Sequence, residues 1–269
     1  MSSRTRSRLR RRSSGTNALA ALCLRSQSTG APNDPFGSYA SIPPQPPDTT
    51  DPSKRKEKAV IEHIKPMDIE KRSFEIITET LGDRTLDPEN ELVIKRVIHT
   101  TADFDYADNL VFSGHAVTKG IEALKKGCDI VTDTQMAKAG ISKVTLERLG
   151  GQVHCFMSDP DVAAEAKERG VTRAVVSMEH AAKLKKPCIF ALGNAPTALI
   201  RLHELIEEGA FQTEPPLIIG VPVGFVNVVE SKELIIQNSR VPYIIARGRK
   251  GGSNVAAAIC NALIYQITR

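Results

Sequence analysis

The chain has 269 residues, which is enough for one large domain or two small ones. Aromatic residues make up only 4% of it and tryptophan is absent, which argues against a base-stacking surface for single-stranded nucleic acid. The net charge is +5, but residues 1–33 hold seven arginines and no Lys, Asp or Glu. The rest of the chain is therefore close to neutral, and it lacks the basic excess of a nucleic-acid-binding domain.

Three further classes of feature are missing from the sequence. No run of 18 or more apolar residues occurs, so no membrane-spanning segment is predicted. The histidines show no metal-ligand spacing, so no metal site is predicted either. The cysteines are odd in number, form no CxxC pair and lie mostly in apolar runs. We therefore predict reduced, mostly buried thiols in a reducing compartment, at Cys23, Cys128, Cys155, Cys188 and Cys260.

The N-terminal segment differs in composition from the rest of the chain. Residues 1–30 are rich in Arg and Ser and contain a short apolar stretch, Ala18 to Leu24. This composition fits an organelle transit peptide, and it fits a disordered basic tail equally well. Residues 31–56 include Pro43, Pro44, Pro46 and Pro47 and indicate a linker. We predict a disordered tail over 1–56 and a folded domain over 57–269.

From residue 60 onward, apolar strands alternate with helical patterns. A helix is predicted from Asp68, its expected N-cap, to about Thr80, and others at 88–100 and 115–126. Strands are predicted at 129–133, 152–157, 187–192, 216–221 and 241–246. Helices are predicted between and after them at 160–169, 173–184, 195–208, 228–237 and 251–266. This alternation indicates an α/β fold, with a mainly parallel sheet that helices flank on both faces.

His99 is the first candidate for chemistry. Leu92, Val93, Val97 and Ile98 recur at helical spacing, so His99 falls near the C-terminus of the second helix. The negative end of the helix dipole favours the protonated imidazole there, and histidine is the side chain best suited to proton transfer near neutral pH. A helix-end histidine that only caps the last carbonyls is the alternative.

Glycine-rich and proline-rich turns follow the later strands, where an open parallel sheet binds its ligands. The turn Gly193–Thr197 leads into a helix that Asn194 or Thr197 could cap, and its free N–H groups could hold a carboxylate or phosphate. Two glycines in Gly220–Phe225 would let a ligand approach closely. Ordinary turn and cap chemistry is the alternative for both, and neither is a dinucleotide or ATP fingerprint.

The turn Arg247–Ser253 follows the last strand and opens the last helix. Its three cations, three glycines and helix N-terminus predict an anion site, and a solvated basic loop is the alternative. Thr172-Arg173 and Ser231-Lys232 add cation–hydroxyl pairs near helix starts.

These blocks together resemble the precorrin-8X methylmutase family of cobalamin biosynthesis, and most closely its cobalt-precorrin-8 branch. The resemblance covers roughly residues 60 to 267. It rests on the order and spacing of Val97–Phe104, Gly193–Leu199, Gly220–Phe225, Glu230–Lys232 and Arg247–Asn254.

The resemblance implies a single Rossmann-like domain, a homodimer and an isomerase that moves a methyl group on ring C of the macrocycle from carbon 11 to carbon 12. His99 matches the catalytic histidine of the family, which protonates or hydrogen-bonds ring C. No separate cofactor is implied, because any cobalt belongs to the substrate. Ser73 matches a substrate-binding serine, and the other residues expected to bind the carboxylate-edged corrin are Thr100, Asp133, Arg173, Asn194, Thr197, Lys232, Arg249 and Ser253.

The sequence is also compatible with two other functions. A non-catalytic corrinoid carrier would use the same loops without His99, and a generic α/β protein would bind a phosphorylated metabolite instead. No nucleic-acid or membrane partner is expected. We expect a cytoplasmic protein, with a mitochondrion or plastid as the alternative if residues 1–30 are a transit peptide.

Overall fold

A computed structural model describes residues 62–268. The predictions for the N-terminal tail and for Cys23 lie outside these residues. The described part contains one six-stranded sheet in the order β1-β6-β5-β4-β2-β3. All neighbouring strands run parallel except β1 and β6, which are antiparallel. The strands are β1 Leu110–Phe112, β2 Asp129–Thr132, β3 Val153–His154, β4 Cys188–Leu192, β5 Ile218–Gly220 and β6 Tyr243–Ala246.

Eleven α-helices occur in residues 62–268, after a 3-10 turn at Pro66–Asp68. The first six are α1 Ile69–Leu81, α2 Glu91–Thr101, α3 Tyr106–Asn109, α4 Ala116–Lys125, α5 Gln135–Gly140 and α6 Lys143–Arg148. The others are α7 Pro160–Arg169, α8 Arg173–Ala182, α9 Pro196–Glu207, α10 Val228–Asn238 and α11 Ser253–Thr268. None of the described helices has the length and apolarity that a bilayer crossing would need.

The sheet separates two hydrophobic cores. Strands β2, β4 and β5 are buried along their whole length, as their continuous apolar runs require when helices cover both faces. One core lies between the sheet and α2, α4 and α11, and the other between the sheet and α8, α9 and α10. The predicted α/β fold with a mainly parallel sheet is confirmed.

Several local predictions need correction. Helix α2 starts at Glu91 and not at residue 88, because the Asp87 side chain accepts hydrogen bonds from the Glu89 N–H and the Asn90 amide and holds a turn there. Strand β3 keeps only two of the six predicted residues, since the chain turns at Phe156. Asp68 stands at the N-cap of α1 but makes no capping hydrogen bond. Four short elements were not predicted from the sequence, namely α3, β1, α5 and α6.

The parallel strands bring four connections to one edge of the sheet. Strands β2, β4, β5 and β6 all end at this edge, which we call the carboxyl edge. The connections begin at Asp133, Gly193, Val221 and Arg247, so the predicted glycine-rich turns do lie side by side. The opposite end of the same strands, where Asp129 begins β2, is the amino edge.

Candidate functional site

Asp133 organises the turn after β4. Its side chain is 0% exposed, and its carboxylate accepts hydrogen bonds from the backbone N–H groups of Gly193, Asn194 and Ala195 at 2.7–2.8 Å. Burial raises the pKa of this carboxyl group, although the three N–H groups act to lower it. The carboxylate therefore occupies the anion position that precedes α9.

This arrangement corrects two predictions. Neither Asn194 nor Thr197 caps α9, whose N-cap residue is Ala195 and has no capping side chain. Asp133 has no exposed surface, so its direct contact with a ligand is excluded in this conformation. Asp133 instead holds the turn in place, and the exposed Asn194 side chain remains on the surface of that turn.

The four connections at the carboxyl edge pack closely against one another. A Cβ atom at Gly193 would lie 2.7 Å from the Gly252 carbonyl oxygen, so only glycine fits at this contact. The Gly252 N–H donates to the Val221 carbonyl at 2.9 Å. The hydroxyl groups of Thr134 and Ser253 lie 2.8 Å apart. The predicted residues Asp133, Asn194 and Ser253 therefore belong to one cluster.

The basic turn after β6 contains three cations with different surroundings. Arg247 pairs with Glu233 at 2.9 Å, and Lys250 donates to Asp103 at 2.7 Å and to Asp105. The Arg249 guanidinium contacts no carboxylate among the described residues and lies 5.9 Å from the centre of the Phe225 ring. Arg249 is therefore the cation of this turn that is left for an external anion.

Lys232 is buried beneath the same turn. Its side chain is 0% exposed, and its ammonium group donates to the carbonyl oxygens of Gly248 and Lys250, each at 2.8 Å. Burial lowers the pKa of Lys232 to about 8. The predicted direct contact of Lys232 with a ligand needs correction, because backbone groups hold its ammonium group away from the surface.

His99 lies in the last turn of α2, as predicted, and it is exposed. Its imidazole meets the Phe74 ring edge-on, with 5.7 Å between the ring centroids. The Arg96 guanidinium lies 4.9 Å from the centre of the same Phe74 ring. The Thr100 hydroxyl donates to the Arg96 carbonyl at 2.9 Å. The His99 ring therefore has one aromatic side contact, and part of its surface is open to a ligand.

Ser73 precedes Phe74 on α1, so helix α1 brings it next to the residue that touches His99. The Ser73 hydroxyl donates to the Ile69 carbonyl at 2.8 Å, which leaves its oxygen lone pairs available to accept. Phe74 was predicted to lie on or near the buried face of the first helix and not to belong to the site. Its place beside Ser73 was the only available signal.

A third set of predicted residues joins the starts of α8 and α9. The Thr172 hydroxyl caps α8 and lies 3.0 Å from the Thr197 hydroxyl in the first turn of α9. Arg173 is the first residue of α8, is exposed and forms no ion pair with another described residue. Arg173 and Thr197 are therefore neighbours on adjacent helix starts.

Lys250 links the two main groups of candidate residues. Its partners Asp103 and Asp105 follow α2 directly, so the turn after β6 is tied to the end of the helix that carries His99. Partial burial acts to lower the pKa of Lys250, but the two carboxylates outweigh it and the pKa is raised. Sequence spacing gave no signal for this link, because about 150 residues separate the partners.

Surface depressions in the described part lie beside α1 and at the amino edge. One, of about 470 Å³, follows α1 past Phe74, and a second, of about 380 Å³, continues from Phe74 to Tyr265. A third, of about 430 Å³, lies at the amino edge near Cys128. Within residues 62–268, no three His, Cys, Asp or Glu side chains converge as metal ligands would. The four described cysteines are free and buried, as predicted.

Comparison with known proteins assigns the chain to a family. The family model for precorrin-8X methylmutase matches residues 68–266. A cobalt-precorrin-8 methylmutase from Salmonella typhimurium is 46% identical over 210 residues, with 75% of this chain and 96% of the relative covered. One from Priestia megaterium is 44% identical over 200 residues, with 74% and 88% covered.

A solved structure agrees with the sequence relatives. The crystal structure of precorrin-8X methylmutase from Thermus thermophilus superposes with a TM-score of 0.68 at 38% identity and covers 74% of this chain and 95% of its own. The matched region contains the whole carboxyl edge, the helix that bears His99 and Ser73 on α1. The chain therefore belongs to the precorrin-8X methylmutase family, a family of isomerases in cobalamin biosynthesis.

Proposed function

We propose that this protein moves the methyl group on ring C of precorrin-8 or cobalt-precorrin-8 from carbon 11 to carbon 12, which gives hydrogenobyrinate or cobyrinate. The observation that carries the proposal is the exposed His99 ring at the end of α2. Lys250 joins this end of the helix to the turn that bears Arg249, because its ammonium group binds Asp103 just after α2. His99, which can transfer a proton, thus lies on a helix that contacts the basic turn at the carboxyl edge.

His99 is the proposed catalytic residue. An imidazole can donate a proton or a hydrogen bond to ring C while the methyl group moves, and this stabilises the charge that develops on the ring. The edge-on contact with Phe74 restricts the orientation of the imidazole ring.

The carboxylates at the rim of the macrocycle are the groups that the cationic residues would bind. Arg249 and Arg173 are exposed guanidinium groups without carboxylate partners among the described residues, and guanidinium binds carboxylate in a bidentate manner. Neutral hydrogen-bonding groups supplement them, at Ser73, Thr100, Asn194, Thr197 and Ser253. Asp133 holds the turn that bears Asn194, and Lys232 holds the turn that bears Arg249.

Cobalt and a second subunit complete the proposal. We propose that any cobalt enters with the substrate and that no separate cofactor takes part. We also propose a homodimer, because α1 and its surroundings expose apolar side chains, including Met67 at 94%, Ile69 at 52% and Leu92 at 48%. Sedimentation of the full chain should give a dimer, and Ile69→Glu should shift it toward the monomer.

An absorbance time course with cobalt-precorrin-8 tests the function. We expect the wild type to convert the pigment to cobyrinate and His99→Ala to bind it without conversion, since the proton donor is lost. His63→Ala is the matched control, because His63 is an exposed histidine outside the site. Turnover by His99→Ala would contradict the catalytic role. Tight binding without conversion by the wild type would favour the carrier function.

We further propose a cytoplasmic location, with an organelle as the alternative. The family relatives named above come from bacteria. Mass spectrometry of the protein isolated from its own cells tests this, because cleavage near residue 30 would indicate import and would contradict the cytoplasmic location.

A further inference from the structure

The backbone of Arg249 is fixed on three successive carbonyl groups. The Lys232 ammonium group binds the carbonyls on either side of it, those of Gly248 and Lys250, each at 2.8 Å. The Gly224 N–H donates to the carbonyl of Arg249 itself at 3.3 Å. Lys232 on α10 and Gly224 in the loop after β5 thus both hold the backbone of this turn by hydrogen bonds.

The side chain of Arg249 is less restrained than its backbone. Its exposed guanidinium faces the Phe225 ring, which is itself 83% exposed, and meets no described carboxylate. The flanking cations differ, because Arg247 is bound to Glu233 and Lys250 to Asp103. The turn therefore presents one uncommitted guanidinium on a fixed backbone.

We propose that Lys232 is a positioning residue, which aims Arg249 at a carboxylate of the substrate without touching the substrate itself. This inference rests on the proposed function, because it takes the bound anion to be a carboxylate of the corrin. A buried lysine is costly to keep charged, and its ammonium group has backbone carbonyls and no carboxylate as hydrogen-bond partners. A fixed Arg249 loses less conformational freedom on binding, which raises affinity.

The charged residues on the segments around Lys232 have other partners or stay exposed. On α9, Arg201 is bound to Glu179, Glu204 and Glu208. Burial is the only cause of the lowered pKa of Lys232, so no neighbouring charge contributes to it. The charged residues of α10 and of the turn are Glu230, Glu233, Arg247, Arg249 and Lys250.

A double-mutant cycle on cobalt-precorrin-8 affinity tests the inference. The variants are Lys232→Met, Arg249→Gln and the two together, with the dissociation constant, KM and kcat measured for each. We expect each single change to weaken binding by about 10-fold or more, because a charged hydrogen bond is involved. Since Lys232 acts through Arg249, the double variant should bind no worse than Arg249→Gln. KM should rise while kcat stays within about two-fold, because binding and not proton transfer is affected.

Amide hydrogen exchange provides a readout that needs no pigment. Residues 247–252 should exchange faster in Lys232→Met than in the wild type, because two carbonyl groups lose their donor. Lys232→Gln, which keeps one donor, should be intermediate and guards against loss of the fold in the Met variant. Lys186→Met is the matched control, since Lys186 binds Asp129 and the Gly150 carbonyl at the amino edge. It should change neither the affinity nor the exchange of this turn.

The outcomes separate the inference from the function. If the wild type binds no pigment, the proposed function fails, and the exchange of residues 247–252 still decides whether Lys232 holds the turn. If the wild type binds but the losses of the two single variants multiply in the double variant, the function stands and the positioning role is overturned. Unchanged affinity and exchange in Lys232→Met would also overturn it.

Discussion

An aspartate lies at each end of strand β2, and the two aspartates have different hydrogen-bond partners. At the amino edge, Asp129 binds the Lys186 ammonium at 2.8 Å and the His154 ring at 2.9 Å, so this carboxylate is held by other side chains. At the carboxyl edge, Asp133 binds only backbone N–H groups, and Lys232 nearby binds only backbone carbonyls. The first arrangement ties side chains together, whereas the second fixes the turns that carry the candidate site.

The difference extends to the pKa values. Burial acts to raise the pKa of Asp129, but the hydrogen bonds from Lys186, His154 and the Gln152 N–H outweigh it, and the pKa is lowered. The pKa of Asp133 is raised, since burial outweighs its three N–H donors. The paired aspartate therefore stabilises the fold in its charged form, whereas the charge on Asp133 costs stability and serves to hold a turn.

Replacing the carboxylate at the carboxyl edge should have the largest effect. We expect Asp133→Asn to lower the free energy of unfolding by about 4 kcal/mol, because an amide keeps one acceptor oxygen and turns its own donor toward backbone N–H groups. Urea denaturation measures this loss, and titration with cobalt-precorrin-8 should show that pigment binding is lost with it. A variant with unchanged stability and binding would contradict the role of Asp133.

The buried ammonium at the same edge should give a pH-dependent difference. Burial lowers the pKa of Lys232 to about 8 from its usual 10.5. Between these values the unfolded chain keeps a proton that the folded chain has released, so raising the pH stabilises the wild type. Relative to Lys232→Met, its free energy of unfolding should rise by on the order of 3 kcal/mol from pH 7 to pH 11. A constant difference in urea denaturation would contradict the lowered pKa.

Removing the charge of Asp129 at the amino edge should have a smaller effect, and that effect should be on stability alone. We expect Asp129→Asn to lower the free energy of unfolding by about 2 kcal/mol at pH 7, because the charge-assisted bonds to Lys186 and His154 are weakened. The lowered pKa of Asp129 means that this difference shrinks as the pH falls below about 4. Pigment affinity should not change, and a loss of affinity would show that the amino edge shapes the site.

The smallest effect should come from a neutral contact beside Asp133. Thr134 caps α5 through the Ala137 N–H and meets the Ser253 hydroxyl at 2.8 Å. Thr134→Ala should lower the free energy of unfolding by about 1 kcal/mol, the usual cost of a lost N-cap. Thermal unfolding measures it. A loss as large as that of Asp133→Asn would show that the hydroxyl pair, and not the carboxylate, holds this edge together.

The sequence was sufficient to predict the alternating elements and the glycine-rich turns at the carboxyl edge. Periodicity also placed His99 at a helix end, because residues 92–98 give a local signal. These features depend on near neighbours in the chain, and the structure confirms them.

Features that depend on distant residues could not be predicted. Whether Asp133 faces a ligand or a turn depends on Gly193, which is 60 residues away. The partners of Lys232 and Lys250 likewise arise only when α10, α2 and the turn after β6 meet. The short helices α5 and α6, six residues each, are too short for a clear helical period.

The two outermost strands of the sheet, β1 and β3, are both short. Strand β1 has three residues and β3 has two, whereas the long buried strand β4 lies inside the sheet. A short edge strand offers few unpaired backbone groups to a strand from another chain. We therefore expect this architecture to limit edge-to-edge aggregation of the folded protein even at high concentration.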